Sequence, residues 1–179
     1  MKTYEVDRTR SEIGFSVRHM MVTRVRGRFA RWNATLAYDP DEPASSSVRA
    51  DVETGSVDTH ERLRDAYLGS PEFFDAERYP KMTFESTRVK VTGKGRYELF
   101  GVLTIRGTAH EVVLEVEEAD RDKGSPGEDH LAFVARGSIS RARWNLEWSQ
   151  ALEAGGVLVS DKVDVEVKVR FVAKDSRSS

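Results

Sequence analysis

The chain has 179 residues, of which 39% are hydrophobic and 32% charged, with a formal net charge of −2. These proportions describe a single globular unit with a sizeable core, and the slight acidic balance gives a polyanion no general attraction. With no cysteine in the sequence, disulfides, thiolate metal sites and cysteine nucleophiles are excluded.

The opening, MKTYEVDRTRSEIGF, carries acids early and lacks the apolar core of a secretory signal. No apolar run approaches the roughly 18 residues needed to span a bilayer. The expectation is a cytoplasmic protein with no stable membrane insertion. Period-two alternation then sets in, with Ile13, Phe15 and Val17 alternating with Gly14, Ser16 and Arg18. Arg24, Arg26 and Arg28 alternate with Val25, Gly27 and Phe29. Basic residues beside Phe29 and Trp32 raise a nucleic-acid reading. A solvated outer strand face explains them better, and no nucleic-acid partner is expected. Val48, Ala50 and Val52 continue the alternation.

Between residues 58 and 79 the period changes. Asp58 and Glu61 have the spacing of a capping box, and Leu63, Ala66 and Tyr67 form a narrow apolar stripe at helical spacing. Ser70-Pro71-Glu72 is a second helix start, and Tyr79-Pro80 forces extended backbone. Two short helices in tandem are expected, as one helical insert covering the open end or seam of a closed sheet.

Alternation resumes over 81–91, 96–105, 110–116, 131–139 and 163–171. Short turns such as Thr92-Gly93-Lys94-Gly95 and Arg106-Gly107-Thr108 link neighbours. The segment 119–130 reads as a charged hairpin tip, and 174–179 as a frayed tail beyond a single domain, 1–173. About eight or nine strands with one apolar face must close on themselves or find a second layer. The predicted fold is all-β, an antiparallel barrel with a helical insert.

Laid out in this order, the chain resembles the YceI-like family of polyisoprenoid-binding proteins, whose fold is a lipocalin-like barrel. The resemblance runs from Tyr4 to about Val172. It begins with Asp7, Ser11, Phe15, Val17, His19, Met20, Gly27 and Phe29. Its strongest part is Ser56, Thr59, Arg64-Asp65, Leu68, Phe73-Phe74-Asp75, Tyr79-Pro80 and Phe84. The strand Gly101–Gly107 follows, and Arg141, Trp148 and Val159–Val163 complete it. One departure stands out: Arg143, Trp144 and Asn145 occupy positions where the family usually has aspartate, phenylalanine and glycine.

The resemblance implies a hydrophobic tunnel inside the barrel for a long isoprenoid chain. The lining candidates are Phe15, Val17, Phe29, Trp32, Leu68, Phe73, Phe74, Phe84 and Trp148. Each taken singly reads first as ordinary core, and the case rests on the set together with the resemblance. His19 and Arg64 are candidates for a polar head group such as phosphate, with Arg141 in the same role. The competing readings are a histidine satisfied by backbone and an arginine paired with Asp65 or Asp75. The four histidines fall in no zinc-like spacing. There is no GxSxG elbow or phosphate-cradling glycine loop. Asp65 and Asp75 read as caps or ion-pair partners before a catalytic pair. The expected function is therefore a carrier, store or scavenger of an isoprenoid or other long amphiphile, with no catalysis, metal or cofactor. A packed barrel that binds another protein, and an enzyme acting on an isoprenoid or quinone, are the rival readings. Homodimerisation fits the family resemblance.

Overall fold

The structure, a computed structural model, describes residues 1–19, 23–119, 129–147 and 159–174. Its strands are β1 (Lys2–Val6), β2 (Glu12–His19), β3 (Thr23–Phe29), β4 (Trp32–Tyr38), β5 (Ser47–Glu53) and β6 (Val57–Asp58). One helix, α1 (Arg62–Gly69), precedes β7 (Lys81–Gly93), β8 (Arg96–Ile105), β9 (Thr108–Glu118), β10 (His130–Ser140) and β11 (Val159–Ala173). Every pairing is antiparallel, and β1 and β11 close the ring.

The eleven segments amount to eight long strands, because three are each broken once. β1 and β2 share one edge of β11, Val6 facing Phe171 and Glu12 facing Lys168. β3 pairs with β2 while β4 pairs with β1. β6 pairs with β3 while β5 pairs with β4. The breaks lie side by side and satisfy one another's backbone. The Ala30 amide donates to Ser56 O at 3.0 Å, and Glu53 N to Arg31 O at 3.0 Å. Ser56 Oγ accepts from Arg31 N at 3.0 Å. Next to them, Asp7 N donates to Arg170 O at 2.8 Å, and the Asp7 carboxylate caps the following turn through Thr9 N. This line of breaks bends the walls, as bulges do in curved sheets.

The alternation seen in the sequence becomes an inward face on every strand. Val163, Val165, Val167, Val169 and Phe171 line β11, and Val112, Leu114 and Val116 line β9. Arg24, Arg26 and Arg28 point out, Arg24 to Asp164 and Arg28 to Asp58. The β8–β9 link is a two-residue turn with positive φ at Arg106 and Gly107 (51° and 75°), the left-handed pair that matches strand twist.

The wall is uneven. β7 begins at Lys81, opposite Glu53, so it does not pair with the two-residue β6, while β3 continues past β6 up to Thr23. The insert stands in the gap this leaves. It differs from the sequence expectation, being one helix followed by turns rather than two helices. Phe74 N bonds back to Leu68 O, Ala76 N to Gly69 O, and Asp75 takes a positive φ of 52°. This doubling back buries the adjacent side chains Phe73 and Phe74 together, which a continuing helix, rotating about 100° per residue, disfavours. The predicted capping box is also absent. Asp58 accepts from His60 N, and Glu61, the residue before the helix, makes no side-chain cap.

Candidate functional site: an apolar cavity under the insert

A cavity of about 700 Å³ occupies the barrel interior. All eight long strands contribute apolar side chains to its wall, and the insert contributes Leu63, Tyr67, Leu68, Phe73 and Phe74. Of the lining expected from sequence, Phe15, Val17, Phe29, Trp32, Leu68, Phe73, Phe74 and Phe84 are on this wall. Trp148 lies outside the described residues. Sequence reasoning passed over Val25, Leu36, Leu103, Ile105, Phe133 and the inward valines of β11, which are on the wall too. Their signal was the same alternation; what singled out the others was aromatic character and motif membership.

An aromatic chain links the wall to the insert. Phe15 meets Phe29 at 5.4 Å between ring centroids, Phe29 meets Phe74 at 6.0 Å, Phe74 meets Phe73 at 4.9 Å, and Phe73 meets Tyr67 at 6.2 Å. These separations suit edge-to-face and tilted contacts. The insert is held from outside the cavity by Arg106, which donates to Phe73 O at 3.0 Å and to Pro71 O at 2.8 Å. Thr54, fully buried, donates to Tyr79 O at 2.8 Å. On its other side the insert is open: Leu63, part of the apolar stripe read from the sequence, reaches the cavity rim and is 82% exposed.

Polar groups collect at this rim: Thr59, Glu61, Arg64 and Arg141 all border the cavity. Arg64 pairs with Glu61 at 2.8 Å and donates to Thr59 Oγ1 and Thr59 O at 2.8 and 2.9 Å. Its partners are therefore neither Asp65 nor Asp75. Asp65 instead accepts from Thr59 N and hydroxyl, and Asp75 lies 3.9 Å from Arg78. Arg141 donates to Ser160 O at 3.0 Å and Leu146 O at 2.8 Å, tying the turn after β10 to β11. Asp161 supports that turn, accepting from the Ser140 hydroxyl and from Ala142 N. The Ser140 hydrogen bond is the main reason its carboxyl is held below the usual carboxylate range, with Ala142 N–H and Arg141 adding to it against the opposing effect of burial. His19 ends β2, at the same end of the barrel, and its side chain is outside the described set.

The unusual Arg143-Trp144-Asn145 segment is absent from the cavity wall. Trp144 is fully buried, its indole N–H donating to Leu103 O at 3.0 Å and its ring meeting His110 edge-on at 5.2 Å. Arg143 covers the indole from 5.2 Å. Asn145 takes the left-handed conformation at φ 60°, which glycine adopts freely and asparagine tolerates. The departure thus changes the turn's packing and leaves Arg141 and Leu146 as its residues on the wall.

Tyrosines gather at the opposite end, where Pro43, Ser46 and Ser47 also border the cavity. Tyr38 and Tyr97 hydroxyls both donate to Glu118 Oε1, at 3.4 and 3.3 Å, and Tyr4 reaches Asp129 at 3.4 Å. Burial, and then the Tyr38 hydroxyl, hold Tyr97 well above the usual phenol range, so it stays neutral. Among the described residues there is no cluster of metal-binding side chains, and no helix long and apolar enough to cross a membrane.

Comparison with known proteins agrees with this architecture. The model of the YceI-like domain matches residues 4–171. A UPF0312 protein of Staphylococcus epidermidis is 31% identical over 172 residues, covering 96% of this chain and 98% of its own. Crystal structures of similar shape include BcnA of Burkholderia cenocepacia, with TM-score 0.81 and 24% identity over 92% of this chain and 98% of its own. A polyisoprenoid binding domain from Saccharophagus degradans has TM-score 0.70 and 14% identity over 97% of this chain and all of its own. With its eight-stranded barrel and a family match over almost its whole length, the chain belongs to the YceI-like family.

Proposed function

We propose that the protein binds one long-chain isoprenoid or similar amphiphile, tail inside the barrel and polar end at the insert, as a carrier, store or scavenger. The observation that carries this reading is the cavity itself: an apolar lumen whose charged border residues, Glu61, Arg64 and Arg141, all belong to one end. The polyisoprenoid binding described for the Saccharophagus degradans domain supports the ligand class. Taking a methylene as about the size of a water, roughly 30 Å³, the space takes on the order of 20 carbons. At about 0.8 kcal/mol per methylene the gross gain is about 16 kcal/mol. Association and ordering remove several kcal/mol of it, leaving a Kd on the order of micromolar or tighter.

His19, Arg64 and Arg141 are the proposed head-group contacts, with different strengths of support. Arg64 and Arg141 border the cavity while already donating to backbone carbonyls, Arg64 pairing with Glu61 as well. The ligand enters by displacement of the insert on its Leu63 side, away from the Arg106 clamp. Native mass spectrometry of the purified protein, followed by solvent extraction, tests the reading. A stoichiometric amphiphile, or saturable uptake of an added polyprenyl phosphate, is expected. An apo mass with no uptake of any long-chain probe overturns it in favour of a barrel that serves as an interaction module.

A further inference from the structure

Three glycines, Gly27 on β3, Gly101 on β8 and Gly137 on β10, occupy inward positions where their neighbours present side chains to the lumen. Each has a bulky wall residue folded onto it. A Cβ at Gly27 falls 2.3 Å from the tip of the Phe15 ring, with two further ring carbons at 2.8 and 2.9 Å. At Gly101 it falls 2.4 Å from the Phe84 ring, and at Gly137 2.6 Å from a Leu114 methyl. Phe15 faces Gly27 directly across the β2–β3 pair. The ring therefore lies down on the wall in the place a side chain would fill, instead of standing into the bore.

We propose that Gly27 is a specificity-determining residue: by seating Phe15 against the wall it gives the cavity the girth for a methyl-branched chain over a straight one. This rests on the reading that the cavity takes a long-chain amphiphile. A straight alkyl chain needs the bore of one methylene throughout, whereas an isoprenoid carries a methyl on every fourth backbone carbon and needs periodic extra width. A side chain at position 27 displaces Phe15 into the lumen, and an overfilled wall rejects the wider chain first.

Gly27 is the position to test. The atoms in its way belong to a mobile ring, and its φ is negative or extended, so alanine is conformationally allowed. A Cβ at Gly101 also meets Glu85 O at 2.8 Å, so backbone must shift there. The probes are phytanyl monophosphate and eicosyl monophosphate, both saturated, which share a head group and carbon count and differ in branching. The wild type is expected to bind the branched probe more tightly, and Gly27→Ala to lose about tenfold for it with little change for the straight probe. In a Phe15→Leu background, where no ring is displaced, adding Gly27→Ala should change branched-chain affinity by less than about twofold. That pair also decides the matter if the single variant fails to fold. A branched-chain affinity unaffected by Gly27→Ala, or lost equally in the Phe15→Leu background, overturns the girth proposal while leaving chain binding intact. A wild type that binds neither probe overturns both.

Discussion

The two ends of this barrel are built on different physics. The tyrosine end is packed by side chains of the wall itself: Tyr4, Tyr38, Phe133 and Phe171 meet in a series of edge-to-face contacts, and tyrosine hydroxyls rest on Glu118 and Asp129. Moving these side chains means disturbing the barrel strands that carry them. The other end is covered by the insert, a separate piece of chain fastened by Arg106, Thr54 and a few aromatic rings, with Leu63 left in solvent at the rim. Opening it means moving one element. Under the proposed entry, the tyrosine end is the fixed floor and the insert, anchored by its buried rings yet open on its Leu63 side, is the displaceable cover.

The insert's own aromatic anchor is where the difference between the two ends is most vulnerable. Phe74→Ala removes the ring that joins Phe29 to Phe73, and a loss of about 3–4 kcal/mol is expected. Calorimetry should record a drop of about 10 °C in Tm, and a loaded probe should escape faster. Arg106→Ala comes next. Two charge-assisted bonds to backbone carbonyls disappear at a cost of about 2 kcal/mol, and stopped-flow displacement should show exchange accelerated by about tenfold or more. At the floor, Tyr38→Phe should cost only about 1 kcal/mol in chemical denaturation. Exchange should be unchanged under the proposed entry at the insert; faster exchange would falsify that assignment.

The smallest effect is a pH dependence at the Arg141 turn. The folded-state pKa of Asp161 is depressed, so its contribution is fully present above the unfolded value, about 3.9. It is lost as pH falls through the lower folded value. Urea denaturation of wild type and Asp161→Asn should therefore differ near neutrality and converge in acid. A gap that widens in acid contradicts this sign.

Which parts were legible in the sequence follows from range. Strand faces were readable because alternation is local: β2, β5 and β11 carry their lumen residues in plain period two. The three strand breaks were not, because they are stabilised by partners far away in sequence, such as Ala30 with Ser56 and Asp7 with Arg170. The insert was legible as helical but not in its orientation. Leu63, Ala66 and Tyr67 have the spacing of a buried stripe, and nothing local says that one side of α1 borders an opening. Arg106 gave no local sign of clamping the insert either, since its acceptors, Pro71 O and Phe73 O, are backbone atoms without sequence character. The aromatic candidates of the wall were within reach because bulky inward residues and motif positions coincide there.

The displaceable cover is tested most directly by fastening it. A Cβ at Gly55, in the break between β5 and β6, lies 3.8 Å from Ala76 Cβ in the insert, the spacing of a disulfide. The chain has no other cysteine to interfere, so Gly55→Cys/Ala76→Cys gives one switchable bond. Exchange of a bound fluorescent polyprenyl analogue, followed before and after reduction of the same sample, is the measurement. Exchange is expected to be at least about tenfold slower when oxidised and restored on reduction. Equal rates in a sample shown to be fully oxidised would contradict displacement of the insert as a whole.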